Sequence, residues 1–342
     1  MRRAFVLVAF FLAVTILSGS ALIALSPKEI YQNAANAVVL IMSSDFQDSK
    51  VMVGSGSLIA KDGSILTNRH VIYNSATGKI YSKIHIFFKP EQVTGDLKND
   101  LKNHLMAEVS LSDENMDLAV LKVKLDTPRV FRNILQLGNP EKVTQGDPVV
   151  ALGHPEQGGF WTLTAGIVSA LLGDFGKING KSMIQIDTNL NRGNSGGPLI
   201  DQRGYMVGVN AEIARKADDG LAITGINFAI RSDVVKKWLD AHNIHIPYGP
   251  EKTEAGPAPA GETVKGDASP APVVPAALKP GSAGNTAKTG RSVPVEVFHQ
   301  EKHPYKIDSV YKKFLEMEKS SDAAVDEMNK ALEEQKKKEG QE

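Results

Sequence analysis

Short apolar runs separated by glycine-bearing turns make up most of the chain between residues 37 and 230. The runs are rich in Val, Ile and Leu, and short strands at this regular spacing are typical of an all-β barrel or sandwich. The sequence therefore predicts strands at residues 37–42, 51–53, 57–60, 64–67, 83–88, 107–111, 118–123, 148–152, 161–172, 182–187, 199–200, 205–211 and 225–229.

One helix is predicted before this strand-rich part and one after it. Ser26, Pro27 and Glu29 supply an N-cap, a proline at the first helical position and a capping-box glutamate, so a helix should run to about residue 37. Ser232 should cap a second helix, which closes the strand-rich part. The apolar residues that share one face of that helix are Val234, Val235, Trp238 and Leu239.

Both ends of the chain differ in composition from the strand-rich part. Residues 4–25 follow two arginines and are almost entirely apolar, which fits either a cleaved signal peptide or an uncleaved membrane anchor, and both alternatives stay open. Both place the rest of the chain outside the cytoplasm, because the arginines favour the inner side. Residues 249–304 are rich in Pro, Ala and Gly and predict a disordered linker. Residues 305–342 predict a charged helical tail, whose weak heptad pattern leaves self-association as one alternative.

The composition excludes several classes of function. Lys plus Arg equals Asp plus Glu at 39 each, so the formal net charge is zero and nucleic acid is not an expected partner. The chain has no cysteine, which excludes thiol catalysis, disulfides and thiolate metal sites. The His, Asp and Glu residues show no metal-ligand spacing, so neither a metal nor another cofactor is predicted. With 42% hydrophobic residues, the chain can build proper cores, and residues 26–248 are predicted to form the folded domain.

Three motifs contain residues suited to nucleophilic catalysis. Ser195 lies in GNSGGPL at residues 193–199, His70 lies in TNRHV at residues 67–71, and Asp117 begins DLAVLKV at residues 117–123. A serine hydroxyl needs a neighbouring base, an acid that orients the base, and N–H groups that stabilise the oxyanion formed on attack. The chain order His, Asp, Ser is that of the chymotrypsin-type enzymes.

Together these motifs resemble the HtrA/Deg-type branch of the trypsin-like serine proteases, over roughly residues 28–245. The resemblance implies two packed antiparallel β-barrels of the chymotrypsin type, with a closing helix. His70 and Asp117 would come from the first barrel and Ser195 from the second. Proteins of this type usually carry PDZ domains after the closing helix, but residues 249–342 show no PDZ-like strand pattern.

The resemblance also implies roles for individual residues. His70, Asp117 and Ser195 would be the catalytic triad, and the backbone N–H groups of Gly193 and Ser195, with Asn194 as a third candidate, would form the oxyanion hole. The substrate would add as a strand along Ile226, Asn227, Phe228 and Ala229. Asn189, six residues before Ser195, would line the base of the primary specificity pocket. Because Asn189 is neutral, small or medium apolar side chains are expected there rather than Arg or Lys. The other histidine near a motif, His154, is interpreted as structural.

The implied function is a serine endopeptidase that acts outside the cytoplasm on unfolded or damaged polypeptides. It would be periplasmic or secreted, or attached to the inner membrane through residues 1–25. Homo-oligomer formation is a further expectation. Two alternatives stay open: a catalytically silent, chaperone-like binding protein on a protease scaffold, and an enzyme that stays latent until it assembles.

Overall fold

The computed structural model describes residues 24–45, 51–156, 158–213 and 225–250, together with the single helical positions Lys312 and Glu316. The predictions of an N-terminal signal or anchor, a linker and a tail helix therefore lie almost entirely outside the described residues. No helix among the described residues has the length and apolar character needed to cross a bilayer.

The described residues form fourteen strands, most of them short. In chain order they are β1 (Val38–Ser44), β2 (Val51–Leu58), β3 (Ser64–Thr67), β4 (Tyr73–Asn74), β5 (Lys79–Ile80), β6 (Lys83–Phe88), β7 (His104–Asp113), β8 (Leu118–Val123), β9 (Pro148–Gly153), β10 (Thr162–Leu172), β11 (Met183–Ile186), β12 (Pro198–Asp201), β13 (Met206–Ile213) and β14 (Asn227–Arg231). The helices are α1 (Pro27–Ala34), α2 (Arg69–Ile72), α3 (Leu97–Asp100) and α4 (Ser232–Ala241).

The strands close into two antiparallel barrels of six strands each. The order is β1-β2-β3-β8-β7-β6 in the first barrel and β10-β11-β14-β13-β12-β9 in the second, while β4 and β5 form a separate small ribbon. The predicted all-β fold of two antiparallel barrels with a closing helix is therefore confirmed.

The first barrel departs from the predicted strand pattern at Gly54 and Gly56. We expected a turn there between two short strands, but β2 runs unbroken through both glycines. A Cβ atom at Gly54 would lie 2.5 Å from the Val71 side chain, and one at Gly56 would lie 2.7 Å from the Ile65 side chain. These glycines therefore allow close packing of neighbouring elements, and they do not turn the chain.

The two terminal helices form as predicted, with one difference at the second. Ser26 and Glu29 form a capping box at the start of α1, and a 3₁₀ turn extends that helix to Ala37. The N-cap of α4 is Arg231, so Ser232 is the first residue of this helix and does not cap it, and its hydroxyl donates instead to the Gly138 carbonyl at 2.7 Å. The predicted apolar face of α4 is buried as expected.

A shared core joins the two barrels. Val150, Leu152 and Ile200 of the second barrel belong to the same buried cluster as the interior of the first barrel. The Trp161 Nε1–H, at the start of β10, donates to the Val38 carbonyl of β1 at 2.9 Å. The two barrels are therefore packed and hydrogen-bonded to each other, and the predicted catalytic residues lie on α2 of the first barrel and on the segments directly before β8 and β12.

Candidate active site

His70 and Asp117 are hydrogen-bonded to each other at the rim of the first barrel. His70 lies on the short helix α2 after β3, and Asp117 lies directly before β8. The His70 Nδ1 atom is 2.8 Å from Asp117 Oδ2, and the His70 backbone N–H donates to Asp117 Oδ1 at 3.0 Å. Both carboxylate oxygens of Asp117 are therefore hydrogen-bonded to His70, and these bonds fix the orientation of the imidazole ring. Its Nε2 atom is left as the nitrogen available to a substrate or nucleophile.

The backbone around Asp117 is held in an uncommon conformation. Asp117 has a φ of 54°, in the left-handed region that side chains other than glycine seldom adopt. Its carbonyl accepts hydrogen bonds from Asn68 Nδ2 at 2.9 Å and from the Arg69 backbone N–H at 3.2 Å. In addition to its histidine, the TNRHV motif thus supplies the Asn68 side chain and the Arg69 backbone N–H, which hold the backbone of Asp117 in place.

The loop that carries Ser195 has every carbonyl from residue 192 to residue 195 engaged by a hydrogen-bond donor. These bonds run from Glu156 N to Arg192 O at 2.8 Å, from Ser55 Oγ to Gly193 O at 2.6 Å, from Gly197 N to Asn194 O at 3.1 Å, and from Ser55 N to Ser195 O at 2.8 Å. Because the two ends of a trans peptide point in opposite directions, each fixed carbonyl also fixes the direction of the following N–H group.

Among the three predicted oxyanion donors, the N–H groups of Gly193 and Ser195 have no hydrogen-bond acceptor among the residues that the structure describes. The Arg192 carbonyl is turned toward Glu156, so the N–H of Gly193 points the other way. The Asn194 N–H, in contrast, donates to the Asn191 carbonyl at 3.0 Å. Of the three predicted oxyanion donors, Gly193 and Ser195 are thus available, and Asn194 is already bound.

The conformation of Gly193 permits no side chain. Its φ is 92°, and a Cβ atom built there would overlap the His154 carbonyl oxygen. Gly193→Ala should therefore displace the loop and lower the turnover number by at least the roughly 10²–10³-fold that follows the loss of one oxyanion donor. Steady-state kinetics test this expectation. Gly146→Ala is the matched control, because Gly146 also has a positive φ but has no atom near its Cβ position. Equal turnover in the two variants would contradict it.

Ser195 and His70 line the same cleft between the barrels, which has a volume of about 680 Å³. The Ser195 hydroxyl donates to the Ala211 carbonyl at 3.4 Å, which is a long and therefore weak hydrogen bond. The cleft is also lined by the start of β2, from Val51 to Val53, and by Glu156 and Arg192. No cluster of His, Asp or Glu suited to a metal ion occurs among the described residues.

His154 is fully buried beside this loop, as its interpretation as a structural residue requires. Its Nδ1 atom lies 2.9 Å from Ser55 Oγ, and its ring meets the Trp161 ring edge-on with 4.9 Å between centroids. Burial lowers the pKa of the His154 imidazole to about 3, so the ring is neutral at ordinary pH.

The low pKa of His154 predicts a specific dependence of stability on pH. In the unfolded chain this histidine binds a proton below about pH 6.5, whereas in the folded chain it does so only near pH 3. The unfolded state therefore binds more protons across that window. The free energy of unfolding should fall as the pH is lowered, by at most about 1.4 kcal/mol per pH unit from this group. Urea denaturation at several pH values should give a shallower dependence for His154→Phe. Equal slopes for the two proteins would contradict the prediction.

The predicted substrate-binding strand is wrong, because both edges of β14 are already paired. Residues 227–230 pair with β11 on one side, and the same strand pairs with β13 on the other. The side chains of these residues are also engaged. The Asn227 side-chain amide donates to the Thr188 carbonyl at 2.8 Å, the Phe228 ring packs on Phe175, and Ala229 is fully buried. Ile226 lies directly before this strand and is half-buried.

An unpaired strand edge occurs instead on β13. The neighbouring strand β12 pairs with β13 only as far as Val209, and the loop before β12 pairs as far as Asn210. The edge from Ala211 to Ile213 that faces away from β14 therefore has no strand partner among the described residues, and the Ala211 carbonyl meets the Ser195 hydroxyl. Asn189 is exposed and does not line the cleft that contains His70 and Ser195. Its place in a specificity pocket stays a prediction.

Comparison with known proteins agrees with this geometry. The family model described as "Trypsin-like peptidase domain" matches residues 54–209. A probable periplasmic serine endoprotease, DegP-like, from Hahella chejuensis is 38% identical over 191 residues, which are 56% of this chain and 34% of that protein. The serine endoprotease DegS of Haemophilus influenzae is 31% identical over 228 residues, which are 63% of this chain and 60% of that protein.

A solved structure similar to this one is the HtrA-type protease AlgW with a tripeptide. It is 28% identical, with a TM-score of 0.50, and the match covers 64% of each chain. The chain thus spans about a third of the DegP-like relative and about three fifths of DegS. Residues 54–209 thus match a trypsin-like peptidase domain, and the two six-stranded barrels that contain them are similar in fold to the HtrA-type protease AlgW.

Proposed function

We propose that this chain is a serine endopeptidase that hydrolyses peptide bonds of polypeptides outside the cytoplasm. The observation that carries the proposal is the convergence of three groups on one cleft. These are an imidazole oriented by a carboxylate, a serine hydroxyl, and two backbone N–H groups without an acceptor among the described residues. Each group corresponds to one requirement of acyl transfer through a serine nucleophile.

In the proposed mechanism the Ser195 hydroxyl leaves the Ala211 carbonyl and turns toward His70 Nε2. Its Oγ atom attacks the substrate carbonyl while Nε2 takes the hydroxyl proton, and Asp117 stabilises the resulting imidazolium. The N–H groups of Gly193 and Ser195 stabilise the negative charge on the former carbonyl oxygen. His70 then gives the proton to the leaving amine, and water releases the acyl group through the same base.

The substrate strand should pair with the edge of β13 from Ala211 to Ile213. That edge lies beyond the end of β12 and directly beside the Ser195 hydroxyl, so main-chain pairing there brings a scissile carbonyl near Oγ. The leaving-group side of the substrate would then follow the cleft along Val51–Val53.

The expected setting follows from the relatives, which are named periplasmic endoproteases. We propose the same compartment for this chain, with unfolded or damaged polypeptides as substrates, because strand addition needs an extended chain. Homo-oligomer formation and attachment to the inner membrane stay predictions from the sequence.

A latent enzyme is the second candidate, and one observation favours it. The Ser195 hydroxyl is bonded to Ala211 and not to His70. That bond is long, however, and the hydroxyl reaches other acceptors by rotation about a single side-chain bond. The two candidates make different predictions for a reagent that reacts only with an activated serine.

Labelling with a fluorophosphonate probe tests the proposed function. The wild-type protein should be labelled, because the probe needs both a base-activated serine and a formed oxyanion hole. Ser195→Ala should not be labelled. Ser43→Ala, which removes a buried hydroxyl from β1 without touching the cleft, should be labelled like the wild type. A folded wild-type protein that is not labelled would contradict the proposal and would indicate a latent or catalytically silent site.

A further inference from the structure

We infer that Ser55 and His154 form a positioning pair that holds the Ser195 loop with its N–H groups turned toward the cleft. The inference rests on the proposed function, since it assigns these two residues a role in the same acyl-transfer site. Neither residue lines the cleft with Ser195 and His70. Their effect on catalysis would be exerted through the loop.

Ser55 bonds the loop at two points from the opposite barrel. It lies on β2 of the first barrel and is fully buried, whereas the loop belongs to the second barrel. Its backbone N–H donates to the Ser195 carbonyl at 2.8 Å, and its hydroxyl donates to the Gly193 carbonyl at 2.6 Å. Ser55 thus supplies two of the four donors that fix the carbonyls of residues 192–195.

The single hydroxyl proton of Ser55 determines the tautomer of His154. Since the short bond to the Gly193 carbonyl uses that proton, the Ser55 oxygen can act only as an acceptor toward His154. It therefore accepts from the His154 Nδ1–H at 2.9 Å and from the His154 backbone N–H at 3.2 Å. The neutral ring carries its proton on Nδ1, and this agrees with a buried Nε2 that has no hydrogen-bond partner among the described residues.

The Ser55 hydroxyl holds the peptide that directly follows the one carrying the Gly193 N–H. The Gly193–Asn194 peptide is held by Ser55 Oγ on its carbonyl and by the Asn191 carbonyl on its N–H. Without the Ser55 hydroxyl, the buried Gly193 carbonyl would lack a donor, and rotation of this peptide would relieve that cost. The Gly193 Cα joins this peptide to the preceding Arg192–Gly193 peptide, which carries the Gly193 N–H. Rotation at the Gly193 carbonyl would therefore displace Gly193 and move its N–H, which is one of the two proposed oxyanion donors.

Ser57 provides an internal comparison for this role. It lies two residues further along β2, on the same face of the strand, and is equally buried. Its hydroxyl, however, has no hydrogen-bond partner in the part of the chain that the structure describes. Removing the Ser57 hydroxyl therefore makes the same chemical change in the same strand without touching the loop.

The test compares Ser55→Ala with Ser57→Ala. We expect the rate constant for fluorophosphonate labelling, and kcat for a peptide substrate, to fall about 10- to 100-fold in Ser55→Ala, because small misplacements of catalytic groups have effects of this size. Ser57→Ala should match the wild type. His154→Phe, which keeps an aromatic ring but removes the Nδ1 donor, should also be slowed, and it serves as the second variant if Ser55→Ala does not fold.

A binding measurement separates positioning from general damage. The affinity of a substrate peptide is measured for Ser195→Ala with and without Ser55→Ala. We expect equal affinities, because pairing with β13 does not use the Ser55 hydroxyl. Equal labelling rates for Ser55→Ala and Ser57→Ala would overturn the inference, as would a parallel loss of affinity and rate. If the wild type is not labelled at all, the proposed function itself fails. A Ser55→Ala variant that is labelled as fast as the wild type would instead overturn only the positioning role of Ser55.

Discussion

Ser195→Ala is expected to lower kcat by about a millionfold, because loss of the nucleophile or of its base removes the whole triad mechanism. His70→Ala should cause a similar loss, since Nε2 is the one ring nitrogen left available once Nδ1 is bound to Asp117. Peptide affinity should change little in Ser195→Ala, because main-chain pairing with β13 does not need the hydroxyl. Single-turnover and steady-state kinetics on one peptide would measure both effects.

The double variant gives the sharper test of this expectation. If Ser195 and His70 act as one unit, removing both should cost no more than removing either, so the effects are strongly non-additive. If the two losses in kcat multiply in the double variant, the two residues contribute separately. The proposed proton transfer between them would then be wrong. Ser43→Ala is the control for loss of a buried hydroxyl elsewhere in the same domain.

Asp117→Asn is expected to lower kcat by about 10⁴-fold with little change in the fold. The reason lies in the two bonds that Asp117 makes to His70. The carboxylate accepts both the His70 backbone N–H and the Nδ1–H, and an asparagine side chain has a single acceptor oxygen. If that oxygen stays on the backbone N–H, the amide NH₂ faces Nδ1. The ring must then carry its proton on Nε2, where it cannot accept the Ser195 proton.

Glu114→Gln is the matched control for this change. Glu114 also precedes β8, but its side chain is 77% exposed and forms its ion pair with Arg69 rather than with His70. The substitution should leave kcat unchanged, because exposed ion pairs of this kind contribute little. Comparable activity of Asp117→Asn and Glu114→Gln would show that the orientation of His70 does not depend on the carboxylate.

The sequence predicted most of the fold because local signals agree with the tertiary structure. Short apolar runs, the capping box at Ser26 and the apolar face of α4 each report directly on a strand or a helix. The strand β2 was divided in the prediction because glycine usually marks a turn, whereas Gly54 and Gly56 serve close packing. Which use a glycine has depends on neighbours such as Val71, and local sequence does not show these contacts.

The predicted site was less complete for the same reason. The motifs located His70, Asp117 and the Ser195 loop, but the substrate strand was assigned to residues 226–229, whose edges are both paired. Pairing partners are non-local, so a strand pattern alone does not reveal a free edge. The contact of Ser55 with Gly193 joins residues 138 positions apart, and that with His154 joins residues 99 positions apart. The Gly-Ser pattern at residues 54–57 was visible, but its link to the Ser195 loop was not.

Barrel closure has a consequence for an enzyme that handles extended chains. A protein that binds unfolded polypeptides by strand pairing is at risk of pairing with them wherever it exposes a strand edge, and such pairing leads to aggregation. Both barrels here are closed. The unpaired edge described above is the short part of β13 that extends beyond the end of β12, beside Ser195. A chain that pairs at this gap lies where the proposed nucleophile can cut it. An unfolded polypeptide that paired with this edge would then be bound and cleaved at the same place. Cleavage would remove polypeptides that could otherwise aggregate with the protein.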